Sequence, residues 1–368
     1  MPRRFEDAAR DACIVTFPSA CALLLAAGGA YAAQSVHAPA SAAAETIHAL
    51  GIAMYIGAAA ITLFVLVLAM RAMFGSPRPA SGRLFVLGGG IAFPVVGLSV
   101  LLVASLLIGN SLTRPPASPV ARIQVIAHQW WWEVRYLPPA KPGSELALLL
   151  QELCGGARVA AASASQQLQG DAPEAIVLAN EIRVPVGHAV ELELHTRDVI
   201  HSLWVPALGG KVDMIPGRVT RLAWQASRAG VYRGQCAEYC GGPHGLMGLI
   251  VIAEDPADYR AWLERQAGAA RPPANAQLAR GRKAFLQARC AECHAIRGTA
   301  ARGTDGPDLT HVGSRRTLAA ATLDNHVGTL AGWIADPQSV KPGNRMPSSQ
   351  DLAGPELRAL AAYLASLD

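Results

Sequence analysis

The segment Gln235 to Met247 reads Q-C-A-E-Y-C-G-G-P-H-G-L-M and holds two thiols (Cys236, Cys240), an imidazole (His244) and a thioether (Met247). These soft and borderline donors select copper or zinc over magnesium or calcium. Gly241, Gly242 and Pro243 separate the second Cys from the His. They stop a helix and favour a tight loop, which can fold the donors onto one centre.

Several chemistries compete for these residues. A Cys236–Cys240 disulfide would close a tight ring and leave His244 and Met247 without a purpose. A zinc site would take Cys236, Cys240, His244 and a distant His, but has no use for Met247. A single blue-copper ion needs one Cys, two His and an axial Met, so one thiol is in excess. Two thiolates suit a pair of copper ions, because each sulfur can bridge both metals. A second imidazole must then come from elsewhere, and His201 in D-V-I-H-S-L-W-V-P is the best candidate.

A second chemistry sits further on. Cys290-Ala291-Glu292-Cys293-His294 is C-x-x-C-H, the signature of covalent c-type haem attachment, with His294 as proximal ligand. A helical stretch, Gln277 to Ala288, leads into it. G-P-D-L-T (Gly306 to Thr310), P-G-N-R-M-P (Pro342 to Pro347) and a helix from Gly354 follow. This order resembles a small class I cytochrome c, and the resemblance makes Met346 the distal ligand, a thioether that raises the potential of haem iron. His311 and His326 are the alternatives. His195 alternates within a strand pattern and reads as structural.

Asp198 to Pro206, then G-G-K-V-D-M-I-P-G-R (Gly209 to Arg218), then the Cys-rich loop resemble subunit II of the haem-copper oxidases. The resemblance implies a binuclear CuA centre, with Cys236 and Cys240 bridging and His201 and His244 as terminal ligands. Met247 and the Glu238 carbonyl would be weak axial ligands. Trp130 to Trp132 match the family's aromatic segment, usually W-Y-W, with Trp131 replacing the Tyr. The position matching Trp130 is where electrons enter. Lys211 and Asp213 would face subunit I, and the Glu238 side chain would help hold a magnesium ion there. The C-terminal part resembles class I cytochrome c. That likeness implies a Pro307 carbonyl orienting His294, and helix contacts through Gly281, Phe285 and Tyr363.

The elements that must carry these sites are legible in outline. The chain has 368 residues, 51% hydrophobic and 16% charged, more apolar than a soluble domain. A net charge of +5 with no basic run among aromatics excludes nucleic acid as the partner. Residues 1 to 33 have an apolar run and an A-x-A at Ala30–Ala32, the pattern of a signal peptide, which would remove Cys13 and Cys21. Apolar runs at Ala49–Met70 and Leu84–Ile108 predict a transmembrane hairpin within 45–110. Arg71, Arg78 and Arg83 place its connection in the cytoplasm, so the remainder lies in the periplasm. Period-two patterns at Ile123–Tyr136, Ala175–Gly187, Ala189–Thr196, Arg218–Gln225 and Gly248–Ala253 predict strands of a Greek-key barrel or sandwich over 120–264. The resemblance makes this all-β unit cupredoxin-like. Residues 138–175, with the lone Cys154, form an insertion, and 265–276 a linker. An all-α cytochrome c unit spans 277–368.

The resemblance implies subunit II of an aa-type terminal oxidase, of the caa kind with its own cytochrome. Electrons from cytochrome c or a quinol–cytochrome c reductase would reach its haem c, then CuA, then subunit I, where oxygen is reduced to water. Subunit III would complete the complex in the bacterial inner membrane. The two membrane helices, with His48 the single nearby His, cannot hold the haems and copper of oxygen chemistry. One departure from the family is plain: R-L-F-V-L-G-G-G-I-A-F-P at the second helix lacks the Glu that opens a proton path in well-known members. This keeps open a CuA-bearing subunit of a nitric oxide reductase. A membrane-anchored copper-binding protein is a further alternative, against which the fused haem argues.

Overall fold

The computed structural model describes residues 34–75, 82–113, 119–137 and 176–368. The expected signal peptide, Arg78, and the 138–175 insertion with Cys154 lie outside the described residues.

Among the described residues, two helices are long and apolar enough to cross a membrane. Helix α1 (Ala42–Phe74) has 33 residues, about 50 Å at 1.5 Å per residue. That exceeds the roughly 30 Å hydrocarbon core, so α1 projects beyond it. Its first turn is clamped to the β unit. Ser41 caps the helix by accepting from Ala44 N, and its hydroxyl donates to the Leu208 carbonyl at 2.8 Å. Ala40 N donates to Ala207 O at 2.7 Å. The second span starts with a wide turn, Phe85–Ala92, before helix α2 (Phe93–Leu112). Gly88 to Gly90 and Pro94, which has no N–H to donate, account for the widening.

Two five-stranded sheets form the β unit. The first runs β3 (Ile176–Ala179), β2 (Trp131–Leu137), β1 (Ala121–His128), β5 (Val190–Thr196), β8 (Thr220–Trp224). The second runs β4 (Glu181–Pro185), β10 (Gly248–Glu254), β9 (Gly230–Cys236), β6 (His201–Trp204), β7 (Val212–Met214). Alternation decides which side chains meet between the sheets. Ile123 and Val125 of β1, Leu192 and Leu194 of β5, and Leu249 and Val251 of β10 all enter one core with Trp132 and Trp224. The intervening residues of β5 (Glu191, Glu193, His195) face the other way, and Glu191 pairs with Arg122 at 3.2 Å.

The sequence reading gave no helix after the last strand, yet α3 (Pro256–Ala267) lies there. Asp255 caps it, and it buries Tyr259, Trp262 and Gln266. The expected linker is thus helical up to Ala267. The stretch beyond is strapped down: His311 Nε2 lies 3.0 Å from Gly268 O, and Ala270 N donates to Arg297 O at 3.0 Å.

The C-terminal unit crosses α4 (Ala276–Gln287) against α7 (Gly354–Ala365), with α5 (Val327–Ala335) beside α7 and the short α6 (Pro337–Val340) following α5. Gly281 stands at the crossing, where a Cβ would be driven into the Ala359 carbonyl. Phe285 and Tyr363 are buried in this core. These are the contacts expected of an all-α cytochrome fold.

Candidate metal centre and haem site

Three strand ends converge at one edge of the β unit. His201 opens β6, Cys236 closes β9, and Met247 precedes β10. The register pairs Leu203 with Cys236. Ala237 N donates to Ser202 O, and Cys236 N to Met247 O, each at 2.9 Å. A distant His thereby meets the Cys loop. The Cys236 and Cys240 sulfurs are 3.8 Å apart. His201 Nδ1 lies 3.7 Å from the Cys236 sulfur, and His244 Nδ1 3.4 Å from that of Cys240. The Glu238 carbonyl is 3.2 Å from Cys236 Sγ, and Met247 Sδ 3.9 Å from Cys240 Sγ. All six sequence-predicted donors are therefore brought together. His201, Cys236, Cys240 and Met247 are buried, and His244 is half-buried.

The electrostatics suit a cation. Cys236 is held below the ordinary thiol range, chiefly by the hydrogen bond it shares with Cys240. Cys240 is pushed up, because ionising it would put a second negative charge beside the first. Two thiolates at this distance need positive charge between them. Burial works to lower the His201 imidazole, but Asp198 and Cys236 outweigh it and raise the imidazole above its usual value.

Asp198 was not singled out from the sequence, although it lies three residues before His201 in the quoted motif. Its Oδ1 is 2.8 Å from His201 Nε2, and its Oδ2 accepts the Gln129 amide at 2.7 Å. One ring nitrogen is thus occupied and Nδ1 is left facing the sulfurs, the arrangement that orients a metal-bound imidazole.

In the C-terminal unit, a short turn (Cys290–Glu292) presents the C-x-x-C-H residues. His294 Nδ1 lies 2.8 Å from the Pro307 carbonyl, which leaves Nε2 as the free donor. Burial lowers the imidazole, with the Pro307 carbonyl acting against it. Gly306 is required beside the ring: a Cβ there would stand 2.7 Å from His294 Cε1. Met346 packs on the same apolar cluster as Cys290 and Leu309. Its loop is fixed by Asn344 Oδ1, which accepts Met346 N at 2.8 Å, and by Gln338 Nε2, which donates to Met346 O at 3.1 Å. Two free thiols, a half-tethered imidazole and a thioether, with Cys290 and Met346 packed on one apolar cluster, fit a covalently bound haem. His311 Nε2 is turned to Gly268 O, and His326 caps α5 through Nδ1. His195 sits in β5 with Gln124 Nε2 at 3.2 Å from its Nε2, the structural place expected.

The two units touch at the sites themselves. Trp130 Nε1 and Gln129 Nε2 both donate to the Cys240 carbonyl, each at 2.9 Å. Lys341, just after α6, donates to the Trp130 carbonyl at 2.6 Å. Burial pushes its ammonium down to about 7. No sequence signal could have found this contact, which joins residues 211 positions apart.

Residues 121–254 match the family model "Cytochrome C oxidase subunit II, periplasmic domain", and residues 278–368 match the model "Cytochrome c". Cytochrome c oxidase subunit 2 of Cereibacter sphaeroides is 32% identical over 239 residues, covering 62% of this chain and 78% of that protein. The chain belongs to the cytochrome c oxidase subunit II family. The same subunit of Alkalihalophilus pseudofirmus is 41% identical over 194 residues, 53% of this chain and 56% of that relative. The chain thus spans little more than half the length of that relative. The solved periplasmic domain of subunit II of cytochrome oxidase from Bradyrhizobium japonicum aligns with 22% identity and a TM-score of 0.30, over 40% of this chain and 94% of that one. Membership of the subunit II family accounts for the dithiol site, and the cytochrome c match for the second site. The family implies binuclear copper in the first and haem c in the second.

Proposed function

We propose that this chain is the electron-transfer subunit of an aa-type terminal oxidase. It would take electrons at its own haem c, pass them to a binuclear copper centre and deliver them to subunit I for reduction of oxygen to water. The observation that carries this reading is the convergence of two imidazoles, a thioether and a backbone carbonyl on two sulfurs 3.8 Å apart, with a haem-binding unit seated on the adjacent Trp130 loop. When bound, the two metal groups supply reversible one-electron chemistry.

The chain's residues supply rigidity and insulation. Cys236 and Cys240 would bridge the coppers, and His201 and His244 would end the site through Nδ1. Met247 and the Glu238 carbonyl would be the weak axial donors. Strand ends and the Asp198 link hold these groups in place, which keeps reorganisation small. Cys290 and Cys293 would bond the porphyrin covalently, and His294 and Met346 would be the axial ligands of its iron. The donor would be a cytochrome c or a quinol–cytochrome c reductase. The assembly would sit in the bacterial inner membrane with subunits I and III. A magnesium ion at the subunit I face would find one carboxylate here, Glu238, and require the rest from the partner.

One observation favours a second acceptor. The second membrane span carries no Asp or Glu from Phe85 to Leu112, so it offers no carboxylate to start a proton path. A nitric oxide reductase with the same two sites needs none. The complex purified through a tag on this chain, fed by an artificial reductant in detergent, separates the two. Cyanide-sensitive oxygen consumption is the expected result. Nitric oxide reduction without oxygen uptake moves the chain to the other acceptor. A paramagnetic resonance spectrum without an electron shared by two coppers overturns the copper assignment.

A further inference from the structure

The contact between the two redox units is not a loose tether. It has two ends. At one, Glu181 of β4 accepts the backbone amides of Arg316 and Thr317, the latter at 3.1 Å. Gly248 N donates to Ala320 O at 3.0 Å, and Ile250, Ile252 and Ala321 close a small buried apolar patch beside them. At the other end stands Lys341. It is 3% exposed, and among the described residues its ammonium has a single hydrogen-bond partner, the Trp130 carbonyl, while the exposed Arg345 donates to Gln129 Oε1 at 3.3 Å beside it.

Burying an ammonium costs several kcal/mol unless opposite charge or hydrogen bonds offset it. A methionine of similar length would fill the same space without that cost. Stability is therefore a poor reason for Lys341. Geometry is a better one. Met346 N donates to Asn344 Oδ1 at 2.8 Å, and Asn344 Nδ2 donates to the Lys341 carbonyl at 2.7 Å. Lys341 Nζ reaches the Trp130 carbonyl at 2.6 Å, and Trp130 Nε1 reaches the Cys240 carbonyl at 2.9 Å. The side chain of Lys341 is the link in this bonded series that crosses from one unit to the other.

We propose that Lys341 is a positioning residue that pins the Met346 loop of the C-terminal unit onto the Trp130 loop beside Cys240, fixing the bonded route between the two redox sites of the chain. The proposal rests on the assignment of Met346 to haem and Cys240 to copper. The step it serves moves one electron from the reduced haem side to the oxidised copper side, with no bond made or broken and no proton transferred. The fixed contact also keeps the Trp130 loop covered by this chain's own cytochrome.

The test uses the full-length subunit with Lys341→Met and, as the milder change, Lys341→Gln, which keeps a shorter donor. In the intact complex, photoinjection of electrons into the haem reads the rate at which they pass to copper. Loss of the pin is expected to slow that rate about tenfold or more in Lys341→Met, since small misplacements of reacting partners are costly, and less in Lys341→Gln. Hydrogen exchange on the metal-free chain gives a readout independent of loading. Protection of the Gln129–Trp130 loop should fall in both variants, while the amides of Arg316, Thr317 and Gly248 keep theirs. Unchanged transfer and unchanged exchange in both variants overturn the proposal. If the wild-type protein lacks the two-copper signal or the haem, the assignment of function fails instead, and the exchange data still decide whether Lys341 is a pin. A Lys341→Met chain that cannot bind haem leaves Lys341→Gln to decide by the same two readouts.

Discussion

The copper half and the haem half of this molecule hold their groups in opposite ways. The dithiol site is built at the ends of strands β6, β9 and β10 and on the loop from β9 to β10, which the sheet holds at both ends. Its sulfurs are each 3% exposed, and its donors lie within 3.9 Å of a sulfur before any metal is considered. The haem half is built from turns and loops between helices. Cys293 is exposed, and Met346 hangs on a loop fixed by Asn344 and Gln338. A sheet edge can preorganise a small ion, because strand register sets donor spacing to a fraction of an ångström. A large planar group needs a cleft between helices, which no ladder fixes, and covalent bonds from Cys290 and Cys293 supply the missing constraint. Preorganisation and covalent attachment are alternative answers to one demand, small reorganisation around an electron carrier.

The largest effect should come from removing one sulfur on each side. Cys240→Ala is expected to abolish the two-copper resonance while haem absorbance and covalent haem staining persist. Cys293→Ala should weaken or abolish stable haem attachment and leave the copper resonance in place. Loss of both signals in either variant would break the picture of two independently formed sites.

A smaller effect sharpens the role of the sheet edge. Asp198 holds both His201 Nε2 and the Gln129 amide. Asp198→Asn keeps the shape but removes the charge that orients and strengthens the imidazole. Copper affinity, read by competition with a chelator, should fall about 10- to 100-fold, with haem content unchanged. An unaltered affinity would mean that strand register alone sets the ligand.

How much of this was legible in the sequence follows from distance along the chain. Cys236, Cys240, His244 and Met247 lie within one loop, so their spacing announced a soft-metal site. Cys290, Cys293 and His294 did the same for haem. His201 stands 35 residues before Cys236, and what brings it to the loop is the β6–β9 pairing, which composition does not reveal. Helix α3 had signals that went unread: Asp255 as cap, Pro256 in the first turn, then Tyr259 and Trp262 on one face. The strapping of residues 268–270 and the Lys341 contact had none, because both depend on how segments far apart in the sequence dock. Polar side chains that bond across such an interface look like ordinary surface residues in a sequence.

The smallest effect concerns the sheet that supports the metal edge, and its sign follows from burial. His195 lies in β5, 3% exposed, with Gln124 as its hydrogen-bond partner. Burial first, then Arg135, Arg197 and Arg221, lower its imidazole to about 4. In the unfolded chain it titrates near 6.5. Above that value neither state holds the proton, and the contribution of a neutral buried His195 is fully present. As the pH falls from about 6.5 towards 4 the unfolded state takes up the proton first, so stability is lost. Between pH 6.5 and 5.5 the loss should be about 1 kcal/mol. His195→Gln removes the titration while keeping a polar partner for Gln124. Denaturant unfolding of the metal-free chain, followed by tryptophan fluorescence at both pH values, should show a pH dependence weaker in the variant by about that amount. The haem absorbance of the C-terminal unit should not register the change, because the partner Gln124 and the arginines that act on His195 all belong to the copper half. A variant as acid-sensitive as the wild type would assign the acid response to other groups and leave His195 as a packing residue.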